Sequence, residues 1–220
     1  MQPINSNNEL ENENTLYCGG SGSGKTAAVQ RLGRILETDQ VAFWDPHHDY
    51  TEFRGRVVRR YTSFVSFAKA IAAGRKTRQG FKIALTVPES RKNFLQFCEI
   101  VKAFGNGRHA KRFHLVHEEV PQVTDTVSKE KSVYGWLLSV GRKFGFINHS
   151  IGQRVVEMSK TTLSMSRYKW IGAQESRADA ERMSKESDIP VNDILALKPL
   201  DYYLKSPGIG NVQKGRLTFN

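Results

Sequence analysis

The sequence predicts an α/β fold in which one mainly parallel sheet is sandwiched between helices, and three observations predict it. Short and nearly continuous apolar runs, typical of strands buried on both faces, alternate with segments whose apolar residues recur at helical spacing. A glycine-rich turn joins the first apolar run to the first helical segment. No internal repeat interrupts the alternation. We therefore expect one domain over residues 15 to 220, after a flexible lead-in at residues 1 to 14 that is rich in Asn and Glu.

The same patterns place the elements along the chain. Strands are predicted over residues 16–18, 40–44, 56–61, 82–87, 113–117, 146–151, 168–172, 201–205 and 216–219. Helices are predicted over residues 25–36, 64–74, 91–104, 132–140 and 177–187. Residues 120–131 and 161–166 show no clear periodicity, so we interpret them as polar connections.

The chain is strongly basic. Its 33 Lys and Arg residues against 22 Asp and Glu residues give a net charge of +11. A single basic cluster is usually a solvated face, but three clusters in one domain favour nucleic acid as a partner. The clusters consist of Arg54, Arg56, Arg59 and Arg60, then Arg75, Lys76 and Arg78, then Arg108, Lys111 and Arg112.

Two further properties concern the compartment. No apolar run approaches the roughly 18 residues of a membrane span, and no apolar signal segment begins the chain, so we expect a cytosolic location. Cys18 and Cys98 lie far apart in apolar surroundings. They are expected to be buried thiols rather than metal ligands or a disulfide.

The turn after the first strand carries a phosphate-binding motif. Its residues, which match G-x-x-x-x-G-K-[ST] without a gap, are Gly19, Gly20, Ser21, Gly22, Ser23, Gly24, Lys25 and Thr26. Because a strand precedes it and an amphipathic helix follows, we interpret it as a nest of backbone N–H groups rather than a flexible Gly/Ser turn. ATP is the implied ligand. Lys25 is expected to reach its β- and γ-phosphates, and Thr26 to hold Mg²⁺ through its hydroxyl.

A polar loop, Asp45-Pro46-His47-His48-Asp49-Tyr50, follows the second predicted strand. Ligands bind at the carboxyl ends of strands in open α/β sheets, so the position indicates an active-site loop. A metal site is the alternative, but Pro46 breaks any helix that would hold the His and Asp residues at ligand spacing. No further Cys or His cluster completes a shell.

Two adjacent glutamates end the strand at residues 113–117. A carboxylate at this place in phosphate-loop ATPases holds Mg²⁺, and an adjacent glutamate orients or deprotonates the attacking water. We therefore assign Glu118 to Mg²⁺ and Glu119 to the water. Two neighbouring negative charges are costly without a cation, which favours this assignment over an ordinary acidic turn. If the strand at 146–151 lies between the first strand and the Glu118 strand, Gln153 points its amide at the γ-phosphate as a sensor.

Five segments in this order resemble the FtsK/HerA superfamily of DNA-pumping ATPases over roughly residues 15 to 175. They are GGSGSGKT at 19–26, DPHHDY at 45–50, HEE at 117–119, GRKFG at 141–145 and GQR at 152–154. Within that superfamily the small size resembles the genome-packaging ATPases of tailless icosahedral viruses that have an internal membrane and double jelly-roll capsids. One departure is Glu118, where the family more commonly has aspartate.

The resemblance implies a RecA-like (ASCE) P-loop NTPase domain in a hexameric ring that threads double-stranded DNA and hydrolyses ATP between subunits. A neighbouring subunit is then expected to supply an arginine. We assign that role to Arg142 in the GRK segment, with Lys143 and Arg154 as alternatives. The resemblance also implies capsid or vertex proteins as partners, and a location in the host cytoplasm or at the packaging vertex of the virion.

Three other functions stay open from the sequence. One is an assembly or export ATPase of filamentous phages, similar to the zonula-occludens-toxin-like family, which is normally tethered by a transmembrane helix. Another is a small-molecule kinase, which needs an acceptor pocket and has no need of Glu119 and Gln153 around a water. The last is a structural subunit that binds a nucleotide without hydrolysing it.

Overall fold

The computed structural model describes residues 2–125 and 127–219, and within them the predicted α/β sandwich is confirmed. The strands are β1 (Thr15–Cys18), β2 (Gln40–Trp44), β3 (Glu52–Phe53), β4 (Arg56–Val57), β5 (Arg59–Tyr61), β6 (Phe81–Leu85), β7 (Phe113–His117), β8 (Phe146–Gly152), β9 (Tyr168–Gly172), β10 (Asp201–Lys205) and β11 (Val212–Arg216). The helices are α1 (Lys25–Arg31), α2 (Phe64–Arg75), α3 (Arg91–Lys102), α4 (Val120–Val123), α5 (Val133–Ser139), α6 (Lys160–Met165), α7 (Arg177–Ser187) and α8 (Val191–Leu195). Short 3₁₀ turns cover Gly141–Phe144 and Val155–Glu157.

One large sheet organises these elements in the order β11-β10-β9-β1-β8-β7-β2-β6-β5, while β3 and β4 form a separate hairpin. The seven strands from β9 to β5 are parallel, and β10 and β11 add antiparallel to one side. Strand β8 lies between β1 and β7, as expected for the strand that leads to Gln153. The carboxyl ends of β1, β7, β8 and β2 therefore meet at one edge of the sheet.

Apolar side chains cover both faces of the sheet, which explains why the central strands read as continuous apolar runs. On one face, α2, α3 and α5 pack on the sheet through residues such as Phe67, Phe97 and Leu137. On the other face, α1 packs on the sheet through Ala28 and Val29. Both cysteines are free and buried, as predicted. None of the helices in the described residues combines the length and hydropathy that a bilayer span requires.

Several predicted elements differ from the observed ones, including the short helix α4, which lies within the segment 120–131 that was expected to be irregular. Helix α1 ends at Arg31 instead of continuing to residue 36, because Gly33 takes a left-handed conformation (φ 75°). The strand predicted over 56–61 is divided into β4 and β5, and the last strand is 212–216 rather than 216–219. Residues 161–166 were expected to be irregular, but most of them lie in α6, where the Ser159 hydroxyl accepts a hydrogen bond from the backbone N–H of Thr162.

Residues 2 to 14, where the sequence predicts a flexible lead-in, contact the rest of the domain in the structure. Ile4 forms a β-bridge with Asn106, and the Glu13 carboxylate pairs with Arg112. Asn14 is 1% exposed, and its side chain bonds to the backbone oxygen of Leu138 and to the backbone and side chain of Asn148. Asparagine side chains satisfy buried backbone groups without any apolar periodicity, so the sequence pattern does not reveal this packing.

Candidate active site

The phosphate-binding turn has the conformation that its sequence predicts. Gly22 and Gly24 take left-handed conformations (φ 69° and 100°), which glycine adopts at little cost. The buried Lys25 ammonium donates to the carbonyl oxygens of Gly19 (3.0 Å) and Gly20 (2.9 Å). Burial lowers the pKa of Lys25, and the charges of Glu119 and Glu118 oppose that effect. The ammonium is thus held inside the turn, where phosphate oxygens can replace the two carbonyls as its acceptors.

Glu118 is buried where β7 ends. The Tyr50 hydroxyl donates a hydrogen bond to its carboxyl group, and only 3% of the residue is exposed. Burial raises the pKa of Glu118 to about 8, and the negative charges of Asp49, Glu119 and Asp45 also raise it. Asp45 itself accepts hydrogen bonds from the backbone N–H groups of Asp49 (2.8 Å) and Tyr50 (3.2 Å), so the loop after β2 is wrapped around its carboxylate. The site therefore concentrates acidic groups beside the phosphate-binding turn.

The oxygen donors present fit a magnesium ion that is completed by phosphates. Mg²⁺ is usually held by one or two carboxylates together with water and substrate oxygens, rather than by a cage made only of protein. Glu118 lies among other acids that raise its pKa, and the hydroxyl of Thr26 makes no hydrogen bond within the described residues. Those residues include no cluster of three His, Cys, Asp or Glu side chains able to hold a metal alone.

Glu119 and Gln153 meet at the carboxyl ends of β7 and β8. Gln153 Nε2 donates to Glu119 Oε1 at 3.0 Å. Glu119 has a left-handed backbone (φ 42°, ψ 53°), which is unfavourable for a residue with a side chain and is typical of functional sites. The two side chains line one cavity together with His47, Arg154 and Glu157. A glutamate and an amide side by side in a cleft can orient and deprotonate a water molecule.

Comparisons with known proteins agree with this geometry. No protein-family model matches the chain, and no curated protein matches it significantly in sequence. Among solved structures, the genome packaging NTPase B204 from Sulfolobus turreted icosahedral virus 2, in complex with AMPPCP, has a TM-score of 0.72 at 11% identity. The match covers 95% of this chain and 99% of that chain. The chain has the fold of the FtsK/HerA-type P-loop ATPases.

Two further solved structures share this P-loop ATPase fold. The bacterial conjugative coupling protein TrwB has a TM-score of 0.65 at 12% identity, with 99% of this chain and 88% of that chain covered. VirB4 of Thermoanaerobacter pseudethanolicus has a TM-score of 0.61 at 11% identity, with 95% and 90% covered. The predicted resemblance is thereby confirmed at the level of the fold.

The candidate trans-acting residues lie at opposite edges of the sheet. Arg142 precedes β8, at the edge away from the phosphate-binding turn, and its guanidinium donates to the backbone oxygens of Asn8 and Leu10. Lys143 follows it in the same 3₁₀ turn. Arg154 lies directly after Gln153, and its Nε donates to the buried carboxylate of Asp179 at 3.0 Å. Within one subunit only Arg154 lies near Glu119, and the role of Arg142 stays a prediction about a neighbouring subunit.

Sequence reasoning missed two residues that contact the phosphate-binding turn. Glu175 Oε1 accepts a hydrogen bond from the backbone N–H of Ser21 at 2.7 Å. Leu200 has a left-handed backbone (φ 72°), and its N–H donates to the carbonyl of Ser23 at 3.3 Å. Both belong to segments far along the chain, and neither has a local sequence signal. Only the pairing of β9 beside β1 brings the Glu175 loop to the turn.

Proposed function

We propose that this protein is an ATP-driven double-stranded DNA translocase that packages a viral genome into a preformed capsid. The proposal rests on one observation: Lys25, Glu119 and Gln153 lie close together at the edge of the sheet where the phosphate-binding turn lies. This set provides a cation for the γ-phosphate and a carboxylate for a water, which hydrolysis requires. The match to the packaging NTPase B204 over 95% of this chain and 99% of that chain supports packaging as the purpose.

In the proposed reaction, the backbone N–H groups of residues 20 to 26 bind the phosphates, and the Lys25 ammonium turns from the carbonyls of Gly19 and Gly20 to the β- and γ-phosphate oxygens. Thr26 and Glu118 would hold Mg²⁺, which would neutralise phosphate charge. The oxygen of the attacking water forms a bond to the γ-phosphorus, and Glu119 accepts the proton that this water loses. The bond from that phosphorus to the β–γ bridging oxygen breaks, and ADP leaves with the electron pair.

Gln153 has two roles in this proposal. Its amide holds the Glu119 carboxylate through the 3.0 Å hydrogen bond. Because Gln153 directly follows the strand that lies between β1 and β7, we also assign it the role of sensing the γ-phosphate. Arg142 from a neighbouring subunit stabilises the charge that develops on the transferred phosphoryl group, with Lys143 and Arg154 as alternatives.

The net charge of +11 supports duplex DNA as the polymer that is moved. Packaging needs no sequence readout, so contacts to phosphates suffice. The proposed assembly is a homo-oligomeric ring, a hexamer by resemblance, that acts in the host cytoplasm or at the packaging vertex with capsid or vertex proteins.

A DNA-export ATPase is the second candidate function. The likeness to the conjugative coupling protein TrwB favours it, because that protein shares the fold over 99% of this chain. Both candidates predict an ATPase that responds to DNA. Binding of the purified protein to the capsid vertex of its own virus separates them, since only packaging requires that contact.

The first experiment measures the steady-state ATPase rate with and without duplex DNA at two salt concentrations, with Glu119→Gln as the control. We expect stimulation that falls as salt rises, because phosphate contacts release counterions, and a hydrolysis rate in the variant that is lower by about 10² to 10⁴. If duplex DNA does not change the ATPase rate in any oligomeric state of the protein, the proposal is overturned. A phosphoryl transfer to a small-molecule acceptor would support a kinase instead.

A further inference from the structure

Three basic clusters that are separate in the sequence meet at one place in the fold. A cavity at the start of β6 is lined by one cation from each cluster, Arg56, Arg78 and Lys111, together with Thr38, Gln79 and Gly80. A second cavity shares Gln79 and Gly80 with it and adds Arg59 and Lys69. We call the two cavities, with their five cations, the amino-edge groove.

The amino-edge groove has an unbalanced positive charge. In the described residues, no Asp or Glu lines either cavity. The side chains of Arg59, Lys69 and Arg78 are exposed and make no hydrogen bond or ion pair within the described part of the chain. The Lys111 ammonium donates to the hydroxyl of Thr38 (3.3 Å). Arg56 pairs with Glu37 at the surface (3.0 Å) and donates to the carbonyl of Gly80 (3.4 Å). At least three cations are thus available to an external anion without loss of an internal contact.

Another basic cavity shows the contrast. It is lined by Arg31, Arg54 and Arg216, but each of these guanidinium groups already has a partner in the chain. Arg31 donates to the carbonyl of Thr218 (2.8 Å), Arg54 to that of Gln30 (2.7 Å), and Arg216 pairs with Asp201 (2.6 Å). These arginines hold the chain terminus and the β3–β4 hairpin in place. Positive charge is therefore common to both basic cavities. The amino-edge groove differs from this cavity because three of its cations have no partner in the described part of the chain.

The position of the amino-edge groove separates it from the ATP site. It lies at the amino ends of β5 and β6, whereas Lys25, Glu119 and Gln153 follow the carboxyl ends of β1, β7 and β8. Strand β5 also forms one side of the sheet, so the groove is open along that side. Small residues, Ala70, Ala73, Gly74 and Gly80, line its wall and leave room for a sugar–phosphate chain to approach.

From this arrangement we infer that the amino-edge groove is the surface that holds the phosphate backbone of duplex DNA. The inference rests on the proposed function for the identity of the polyanion. Three free cations, supplemented by Arg56 and Lys111, contact successive phosphates and read no base. Each phosphate that one of them neutralises contributes about −0.9 to the slope of log affinity against log salt.

The test compares two triple variants by fluorescence anisotropy on a labelled duplex DNA over a series of salt concentrations. The first variant carries Arg59→Ala, Lys69→Ala and Arg78→Ala in the groove. The control carries Lys160→Ala, Lys185→Ala and Lys198→Ala, which removes the same charge from exposed lysines on α6, on α7 and after α8. We expect the groove variant to lose roughly tenfold or more in affinity and to have a slope smaller by about 2 to 3, while the control keeps the wild-type slope.

Affinity and slope unchanged in the groove variant, or reduced equally in the control, would overturn the inference. ATPase stimulation by DNA in the wild type would then still stand, so failure of the groove is distinguishable from failure of the proposed function. The six substituted side chains are exposed, and unchanged ATP binding and thermal melting confirm the fold of each variant. If the triple groove variant does not fold, Arg78→Glu alone must still weaken DNA binding, and wild-type affinity of that variant would refute the groove.

Discussion

The carboxylate of Glu175 accepts a 2.7 Å hydrogen bond from the backbone N–H of Ser21, inside the motif that binds phosphate. Its side chain lies directly over Gly20, where an added Cβ would overlap with the Glu175 Cγ. A negative group therefore already occupies one donor of the phosphate nest. ATP brings more negative charge to the same turn, so Glu175 and the phosphates repel each other and compete for that N–H.

The first prediction follows from this competition. Glu175→Gln keeps the shape of the side chain but removes its charge, so we expect ATP to bind about three- to tenfold more tightly, since a charge-assisted hydrogen bond is replaced by a weaker neutral one. Titration calorimetry with a non-hydrolysable ATP analogue measures the change. Glu181→Gln, on the exposed surface of α7, is the matched control and should bind like the wild type. Equal or weaker binding by Glu175→Gln would show that the carboxylate does not oppose the nucleotide.

The second prediction concerns the pair of Glu119 and Gln153. Glu119→Gln retains a polar side chain of the same size, so ATP binding should persist while the hydrolysis rate falls by about 10² to 10⁴, which is the usual contribution of a general base. Gln153→Ala removes the amide that holds Glu119 and should lower the rate less, with little change in KM. Single-turnover kinetics on a bound, radiolabelled ATP separate chemistry from release. If Glu119→Gln hydrolyses bound ATP at the wild-type rate, another residue must be the general base.

The sequence predicts the central sheet well and the loops around its edge poorly. Strands β2, β7 and β9 and helix α7 have the predicted bounds, because continuous apolar runs and clear polar flanks define them. The position of β8 between β1 and β7, which from the sequence is only a condition for the role of Gln153, is observed, and it brings Gln153 to Glu119. Helix α8 is absent from the predictions and strand β11 is displaced from its predicted position, because their burial is only partial and their apolar periodicity is weak.

The contacts that give the site its electrostatic character come from distant segments. Tyr50 and Glu118 are separated by 68 positions, and Ser21 and Glu175 by 154. Such pairs depend on how the loops after β2 and β9 fold over the sheet edge, and no local periodicity encodes that conformation. Motif reasoning therefore finds the residues of the phosphate-binding turn and the acidic strand end, but not the side chains that modify their charge.

The third prediction tests how firmly the N-terminal segment is bound. Asn14→Ala leaves the backbone N–H and side-chain amide of Asn148 without the acceptor that they share at 2.9 and 3.0 Å. A buried polar group without a partner costs about 1 to 3 kcal/mol, so we expect the free energy of unfolding to fall by about 3 kcal/mol. Urea unfolding measures the change in the free energy of unfolding. Asn8→Ala, at an exposed position whose side chain makes no hydrogen bond within the described residues, should change it by less than about 0.5 kcal/mol. Equal losses in both variants would contradict the structural role of Asn14.

The fourth prediction concerns acid stability and the buried histidines His114 and His149. Their rings stack with Nδ1 of His114 3.0 Å from Nε2 of His149. Burial lowers the pKa of His114 to about 4, although the negative charge of Asp39 acts in the opposite direction. Burial and the charge of His114 lower the pKa of His149 well below its usual value. Between pH 6.5 and about 4 the unfolded chain therefore binds protons that these native side chains do not. The contribution of these two histidines to stability is thus full above pH 6.5 and falls as the pH decreases through this window.

Each such histidine removes up to about 1.4 kcal/mol of stability per pH unit. His149→Gln eliminates one of the two titrations and keeps a polar side chain, so its unfolding free energy should fall less steeply from pH 6.5 to pH 4.5 than that of the wild type. Urea midpoints taken across this range give the two slopes. His47→Gln, at a side chain that is 53% exposed, is the control for the same substitution at the surface. If the unfolding free energy of His149→Gln falls with pH as steeply as that of the wild type, the acid sensitivity arises from another residue. Burial also lowers the pKa of His117 to about 4, so His117 is the next residue to substitute.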